Sequence, residues 1–264
     1  MLRYTIGRCR LVSKQWNHLT YDSWFINQLS QRTKTSHGVF IQTSIRTKQV
    51  STFVQTVYNN ISDSNQLSLS FLPEPVKIEA AHQGILLCVT TRKRVPQYYI
   101  CKPTTKEWEQ IRNPKTRYRT VKIALTVLRS NPLRYKIVRF SEPKSQVYKY
   151  KQNLRCETYD SMARAWKQLD NVALPSDAFL CCKPAVSACG AVQWLLSNHR
   201  SVGVFAFDVD KESWEIFAPP CSAVENRNKN QVVEYQGRLA WICEGEDLME
   251  LWAMQDYVQE QSME

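Results

Sequence analysis

Glycine is scarce, at 7 of 264 residues, too few for the several backbone cradles that phosphate-binding loops require. Neither a G-x-S-x-G elbow nor an H-E-x-x-H pair occurs, so the usual signatures of a serine hydrolase or a zinc protease are missing. No uncharged apolar run reaches the roughly 18 residues of a membrane span. The longest candidate, Pro184–His199, is interrupted by Ser187, Gly190 and Gln193. The first ten residues carry Arg3, Arg8 and Arg10 around few apolar side chains, which does not read as a secretory leader. These absences predict a soluble intracellular protein, cytoplasmic and/or nuclear, with no membrane partner.

Metal chemistry also lacks its usual spacing. Nine cysteines are present, an odd count, but no C-x-x-C pair, and paired ligands at short spacing are what zinc sites need. The four histidines (His18, His37, His82, His199) are scattered, and only Cys181, Cys182 and Cys189 lie close together. The prediction is free, mostly buried thiols, no metal and no cofactor. Asp208 and Asp210 could suggest metal ligation, but their place at a strand end before Trp214 favours a polar turn. Cys181-Cys182 is expected to begin a strand, one thiol facing each side.

Charge is plentiful and unevenly spread. Residues 1–91 hold 9 Lys/Arg against 4 Asp/Glu, residues 92–155 hold 18 against 3, and residues 156–264 hold 8 against 17. The net charges of +5, +15 and −9 make up the total of +11. A basic middle and an acidic end imply a strong surface field and a charged partner.

Along the chain, Leu11, Trp16 and Leu19, then Phe25, Ile26 and Leu29, recur every three to five residues. This predicts two short amphipathic helices within residues 1–30, with a turn near Thr20-Tyr21-Asp22. A polar linker follows at 31–37. From residue 38 to 264 the pattern is short β-branched and aromatic runs, such as Val39–Ile41, Ile85–Val89, Tyr135–Val138 and Val204–Phe207. Two units repeat. One is a glycine with an aromatic or thiol at the fifth position: Gly84…Cys88, Gly190…Trp194 and Gly237…Trp241. The other is a strand, a polar turn and a returning tryptophan: Tyr99…Trp108, Cys156…Trp166 and Phe207…Trp214, with Leu248…Trp252 as a degenerate fourth copy. A period of 40–50 residues with aromatic-marked hairpins predicts a mostly β, propeller-like module of four to five antiparallel blades. The repeated tryptophans are expected to be core residues between blades.

The run Arg8-Cys-Arg-Leu-Val-Ser-Lys-Gln-Trp-Asn-His-Leu19 with Ser23-Trp-Phe-Ile26 resembles the second half of an F-box. Downstream, Cys101–Trp108, Tyr135–Phe140, Pro184–Trp194, Ala206–Asp208 with Trp214, and Val233–Leu239 with Leu251-Trp252 resemble the kelch-like F-box-associated domain of plant F-box proteins. The resemblance spans residues 8 to about 257. It implies a non-catalytic substrate-recognition subunit of an SCF-type ubiquitin ligase. The helices would bind a Skp-type adaptor, and through it a cullin, while the β module would hold a protein substrate.

On this resemblance Leu11, Val12, Trp16, Leu19 and Phe25 are the candidate adaptor-binding residues, with Leu11, Val12 and Trp16 facing the adaptor. Substrate-binding residues are not identifiable. An F-box begins with a Leu-Pro-led helix, and residues 1–7 do not match one, so adaptor binding is expected to be weaker than for a complete F-box, or undetectable. The family also continues past the stretch resembling Leu248–Tyr257, so the propeller is expected to lack closing strands. The alternative is a nucleic-acid-binding β protein. Its basis is the basic segment 92–155, where Tyr98, Tyr118, Tyr135, Tyr148 and Tyr150 interleave with Arg and Lys.

Overall fold

The computed structural model describes residues 6, 9, 11–20, 22, 25, 38–45, 48–55, 67–91, 95–143, 153–198, 202–219, 230–235, 238–244 and 249–254. Ile26, Leu29, the expected linker at 31–37, Arg92–Arg94, Tyr148, Tyr150 and Gly237 lie outside the described residues. A helix, α1 (Lys14–Leu19), precedes a long series of strands. β1 (Gly38–Ile45) and β2 (Lys48–Gln55) form a hairpin that sets Val39 opposite Val54 and Phe40 opposite Phe53.

Four blade-like antiparallel sheets follow. The first runs β3 (Val76–His82), β4 (Ile85–Thr90), β5 (Tyr98–Lys102), β6 (Glu107–Ile111) in consecutive order. The second runs β7 (Arg119–Ser130), β8 (Leu133–Glu142), β9 (Asn153–Asp160), β10 (Ala165–Gln168), with β11 (Val172–Ala173) also on β9. In the third, β12 (Phe179–Leu180) and β13 (Val186–Ala188) both pair with β14 (Ala191–Ser197), followed by β15 (Val202–Asp208) and β16 (Ser213–Phe217). The fourth has β17 (Gln231–Tyr235), β18 (Arg238–Glu244) and β19 (Met249–Ala253). The fold is therefore mostly β and propeller-like, as the repeats predict.

The chain divides into two compact units. The first comprises residues 1–117, 127–135 and 160–166. Its core gathers Leu69, Leu72, Val76, Leu86, Cys88 and Tyr99, with Phe40 of the hairpin packed against them. The Gln42 amide ties the hairpin to β3, accepting from the Ile78 N–H at 2.8 Å and donating to the Val76 carbonyl at 3.1 Å. This satisfies backbone groups on a strand that would otherwise present an open edge. The second unit comprises residues 118–126, 136–159 and 167–264. Two clusters fill it: one around Phe140, Trp194, Phe205 and Phe207, another around Leu195, Val204, Val232 and Trp241.

Both repeat units occupy equivalent positions. Gly84 and Gly190 close two-residue hairpins after Gln83 and Cys189, and all four residues have positive φ (49°, 76°, 52° and 75° in chain order). Positive φ at both central positions is the type I′ geometry, whose twist matches that of the flanking strands. Each glycine leads into the second strand of its sheet, and the fifth-position side chains Cys88, Trp194 and Trp241 are buried. The Gly237 hairpin pairs Tyr235 with Arg238 on either side. The other unit repeats even at the level of backbone dihedrals. Lys106, Arg164 and Glu212, each two residues before a tryptophan, all adopt positive φ (59°, 51° and 54°).

The expected burial of the hairpin tryptophans between blades fails for Trp108 and Trp214 but describes Trp166, which packs on Tyr98 of the preceding sheet. Trp108 and Trp214 are 45% and 38% exposed, and Trp166 is partly buried. All three sit on outer strands of their sheets (β6, β10, β16), where Trp108 and Trp214 cover a ring of the adjacent strand of the same sheet and Trp166 a ring of the preceding sheet. Trp108 packs edge-on to Tyr99 at 5.7 Å, Trp166 tilts over Tyr98 at 6.2 Å, and Trp214 stacks on Phe205 at 5.6 Å. Trp252 is not a fourth copy of this position. It lies on the third strand of its sheet, opposite Trp241, and is 46% exposed. Cys181-Cys182 also departs from expectation. These residues follow the two-residue β12 instead of beginning a strand, and the Cys181 N–H still donates to the Leu195 carbonyl at 2.8 Å.

His82, at the end of β3, accepts a hydrogen bond at Nδ1 from the Val127 N–H at 2.8 Å. Burial lowers its pKa from 6.5 to about 4, so the ring is a neutral acceptor at physiological pH. The unfolded chain takes up this proton first as pH falls. The contribution of His82 is therefore complete above about pH 6.5 and is lost progressively toward pH 4. Urea midpoints at pH 7 and pH 4.5 should show a drop for the wild type that shrinks in His82→Asn. An unchanged drop in the variant would show that His82 does not carry this pH dependence.

Candidate functional site

Helix α1 is set by its ends. The Ser13 hydroxyl accepts from the Trp16 N–H at 3.2 Å, the N-cap geometry that satisfies an orphan donor of the first turn. Thr20 closes the other end, with its Oγ1 donating to the Asn17 carbonyl at 3.0 Å. Thr20 itself is buried, whereas no residue of the helix proper is. A six-residue helix gains little from its own hydrogen bonds.

Its apolar side chains remain uncovered. Trp16 and Leu19, three apart and therefore on one face, are 50% and 54% exposed. Leu11 and Val12, helical residues just before Ser13, are 87% and 70% exposed. Phe25 is also helical and half-buried. The predicted second helix is otherwise outside the described residues. Four large apolar side chains exposed within nine residues form the kind of patch that marks an interaction surface.

Among the described residues the basic segment does not assemble the stacking platform that nucleic-acid binding would use. Tyr98 and Tyr135 are buried in the sheets. Tyr118 lies beneath the Arg155 guanidinium at 5.9 Å. Several of the cations have internal partners: Arg139 with Glu157, Arg119 with Glu142, and Lys136 with the Val209 carbonyl at 2.8 Å. Alternation along the strands placed these side chains on faces that the spacing in sequence had merged.

A feature absent from the sequence reading is an open groove of about 710 Å³ in the second unit. Gln168, Leu169 and Asp170, at and beyond the end of β10, form one wall. The other comes from the β15–β16 hairpin, through Lys211, Ser213 and Trp214. The turn of that hairpin is built as expected, since Asp208 Oδ1 accepts from the N–H groups of Asp210 and Lys211 at 2.9 and 2.8 Å. Cys156 also lines the groove. Burial, followed by Glu157 and Glu212, pushes its pKa up to about 12, so the thiol stays protonated and is a poor nucleophile. Cys88 and Cys101, which sequence spacing left unpaired, meet with their sulfurs 3.9 Å apart in the first unit. The hydrogen bond to Cys101 and burial both raise the Cys88 pKa. Among the described residues no cluster of three or more His, Cys, Asp or Glu could hold a metal ion.

Residues 37–263 match the family described as the F-box associated beta propeller domain. Among curated proteins, the chain is similar to F-box protein At5g41720 of Arabidopsis thaliana, at 40% identity over 152 residues. That alignment covers 54% of this chain and 80% of the relative. It is also similar to F-box protein At5g49610 of the same plant, 24% identical over 96% of this chain and 71% of the relative. Putative F-box protein At3g17480, also from Arabidopsis thaliana, is 25% identical over 96% of this chain and 70% of its own length. Among solved structures, the crystal structure of TolB from Acinetobacter baumannii superposes with a TM-score of 0.50 at 11% identity. This chain spans 54% of that one, with 89% of its own length aligned, and the likeness concerns the fold alone.

Proposed function

Because the chain belongs to the plant F-box proteins that carry an F-box associated β-propeller domain, we propose that it is the substrate-recognition subunit of an SCF-type ubiquitin ligase. In this reading the N-terminal helical segment binds a Skp-type adaptor, the adaptor connects to a cullin, and the β module captures the target protein. The chain itself carries out no chemistry. Its part is to hold a substrate lysine near the charged conjugating enzyme, so that transfer becomes effectively intramolecular. It would act in the cytoplasm, the nucleus or both.

The observation that carries the adaptor assignment is the uncovered apolar surface of α1 and of the two helical residues before its cap. Leu11, Val12, Trp16 and Leu19 expose apolar surface immediately before a domain of this family. Phe25, half-buried, completes the set from the chain side. A protruding tryptophan among aliphatic neighbours is the side chain most able to anchor an interface.

The test is calorimetry between the full chain and a purified plant Skp-type adaptor. Trp16→Ala is expected to weaken binding by about 30-fold, the scale of a hot-spot loss of ~2 kcal/mol. Because Trp16 is half exposed, the thermal midpoint should hardly move. Adaptor affinity unchanged in Trp16→Ala and in Leu19→Ala would remove this face from the interface. No adaptor binding even when a complete F-box is supplied ahead of the β module would count against the receptor reading itself.

A further inference from the structure

The groove of the second unit has an unbalanced charge and one open aromatic surface. Of the charged side chains in or beside it, Lys211 pairs with Asp208 at 3.5 Å, and Lys167 pairs with Glu212. Asp170 is exposed and makes no hydrogen bond or ion pair among the described residues. Those pairings leave one carboxylate unmatched. Across the groove, the Trp214 ring is stacked on Phe205, with centroids 5.6 Å apart and planes inclined by 22°. Phe205 covers one face of the indole, yet the residue remains 38% exposed and lines the groove.

We propose that this groove receives an arginine side chain from the captured protein, the guanidinium stacking on Trp214 and pairing with Asp170. A planar cation suits both partners. It lies flat over an indole by cation–π attraction and presents a two-pronged donor edge to a carboxylate. Lysine would satisfy the charge without the stacking plane. An acidic side chain would meet the unmatched carboxylate and be repelled. The volume of about 710 Å³ is ample for one such side chain and its flanking backbone.

The site gives the receptor reading a substrate class, a segment displaying arginine, and it rests on that reading for its biological role. Binding can be measured without the ligase. The full chain labelled with ¹⁵N at tryptophan would be titrated with acetyl-Gly-Arg-Gly-amide and with the Lys, Gln and Glu versions of the same peptide. The Trp214 indole N–H resonance, assigned by its loss in Trp214→Phe, is the readout. The arginine peptide should shift it saturably, the lysine peptide should bind several-fold more weakly, and the Gln and Glu peptides should leave it in place. Asp170→Asn changes only an exposed side chain, and it should weaken arginine binding at least about tenfold. A glutamine peptide that binds as well as the arginine peptide, or an affinity untouched by Asp170→Asn, would overturn the proposal. Arginine binding with no adaptor binding, even when a complete F-box is supplied, would sink the receptor reading and keep the groove. Adaptor binding with no arginine response would do the reverse.

Discussion

Trp194→Ala is expected to cost about 3–5 kcal/mol of stability, the range for removing a fully buried indole. That is a large part of the roughly 5–15 kcal/mol that holds a typical domain folded. Trp194 is 1% exposed and lies in the middle of β14, a strand whose side chains are buried on both faces. Its ring meets Phe140 edge-on at 5.3 Å and Phe205 at 6.1 Å, and Phe140 in turn meets Phe205 at 5.4 Å. Truncation would open a void among three rings that brace one another, and neighbouring strands cannot collapse into it without breaking register. Trp108→Ala is the proper control, since that ring is 45% exposed and touches mainly one neighbour, Tyr99. Its cost should be about 1 kcal/mol. Urea unfolding of both variants, read through midpoints and slopes, checks the contrast. Equal losses would mean that the two tryptophans do not differ in burial as described.

The same pair of residues shows what could be read from the sequence. The glycine repeat was legible because two physical demands coincide at it. A type I′ turn needs positive φ at Gly84 and Gly190, and the strand after each turn must bury its fifth residue. The hairpin tryptophans were legible as a repeat, but the exposure of Trp108 and Trp214 was not. Spacing fixes that Trp108, Trp166 and Trp214 return after a turn. It does not say that the returning strand is an outer one of its sheet. Size and apolarity suggested a core position, whereas place in the sheet decided otherwise for Trp108 and Trp214.

The candidate surfaces divide in the same way. The exposed apolar surface at and just before α1 could be read locally, because Leu11, Val12, Trp16 and Leu19 fall within nine residues. The groove could not, because Asp170 and Trp214 belong to different hairpins and come together only through tertiary packing. The basic segment misled for a related reason. Composition counts every Lys and Arg as solvated charge, but strand alternation turns some of them inward, and one of these is Arg139.

Breaking the ion pair of Arg139 is the other substitution from which a large loss is expected. Arg139 and Glu157, on adjacent strands β8 and β9, are 2% and 3% exposed and meet at 2.5 Å through Nη1 and Oε2. The other two nitrogens of the guanidinium have partners as well. Arg139 Nε donates to Thr120 Oγ1 at 2.9 Å and Nη2 to the Tyr118 carbonyl at 2.6 Å. Glu157 Oε1 also faces Arg155 at 3.4 Å. In Glu157→Ala the guanidinium stays buried without its counter-charge, and the expected cost is about 3–5 kcal/mol. Glu157→Gln keeps the shape and an acceptor oxygen but removes the charge, so its loss should be intermediate. The double variant Arg139→Met/Glu157→Leu removes both charges together and fills the space with apolar atoms. Such replacements are often neutral or better, so most of the loss in Glu157→Ala should be recovered. Urea midpoints for the three variants give the comparison. A cost below about 1 kcal/mol for Glu157→Ala would place the pair with solvent-screened surface bridges. A double variant less stable than Glu157→Ala would instead make the charged network, with Thr120 and the Tyr118 carbonyl, a net source of stability in its sheet.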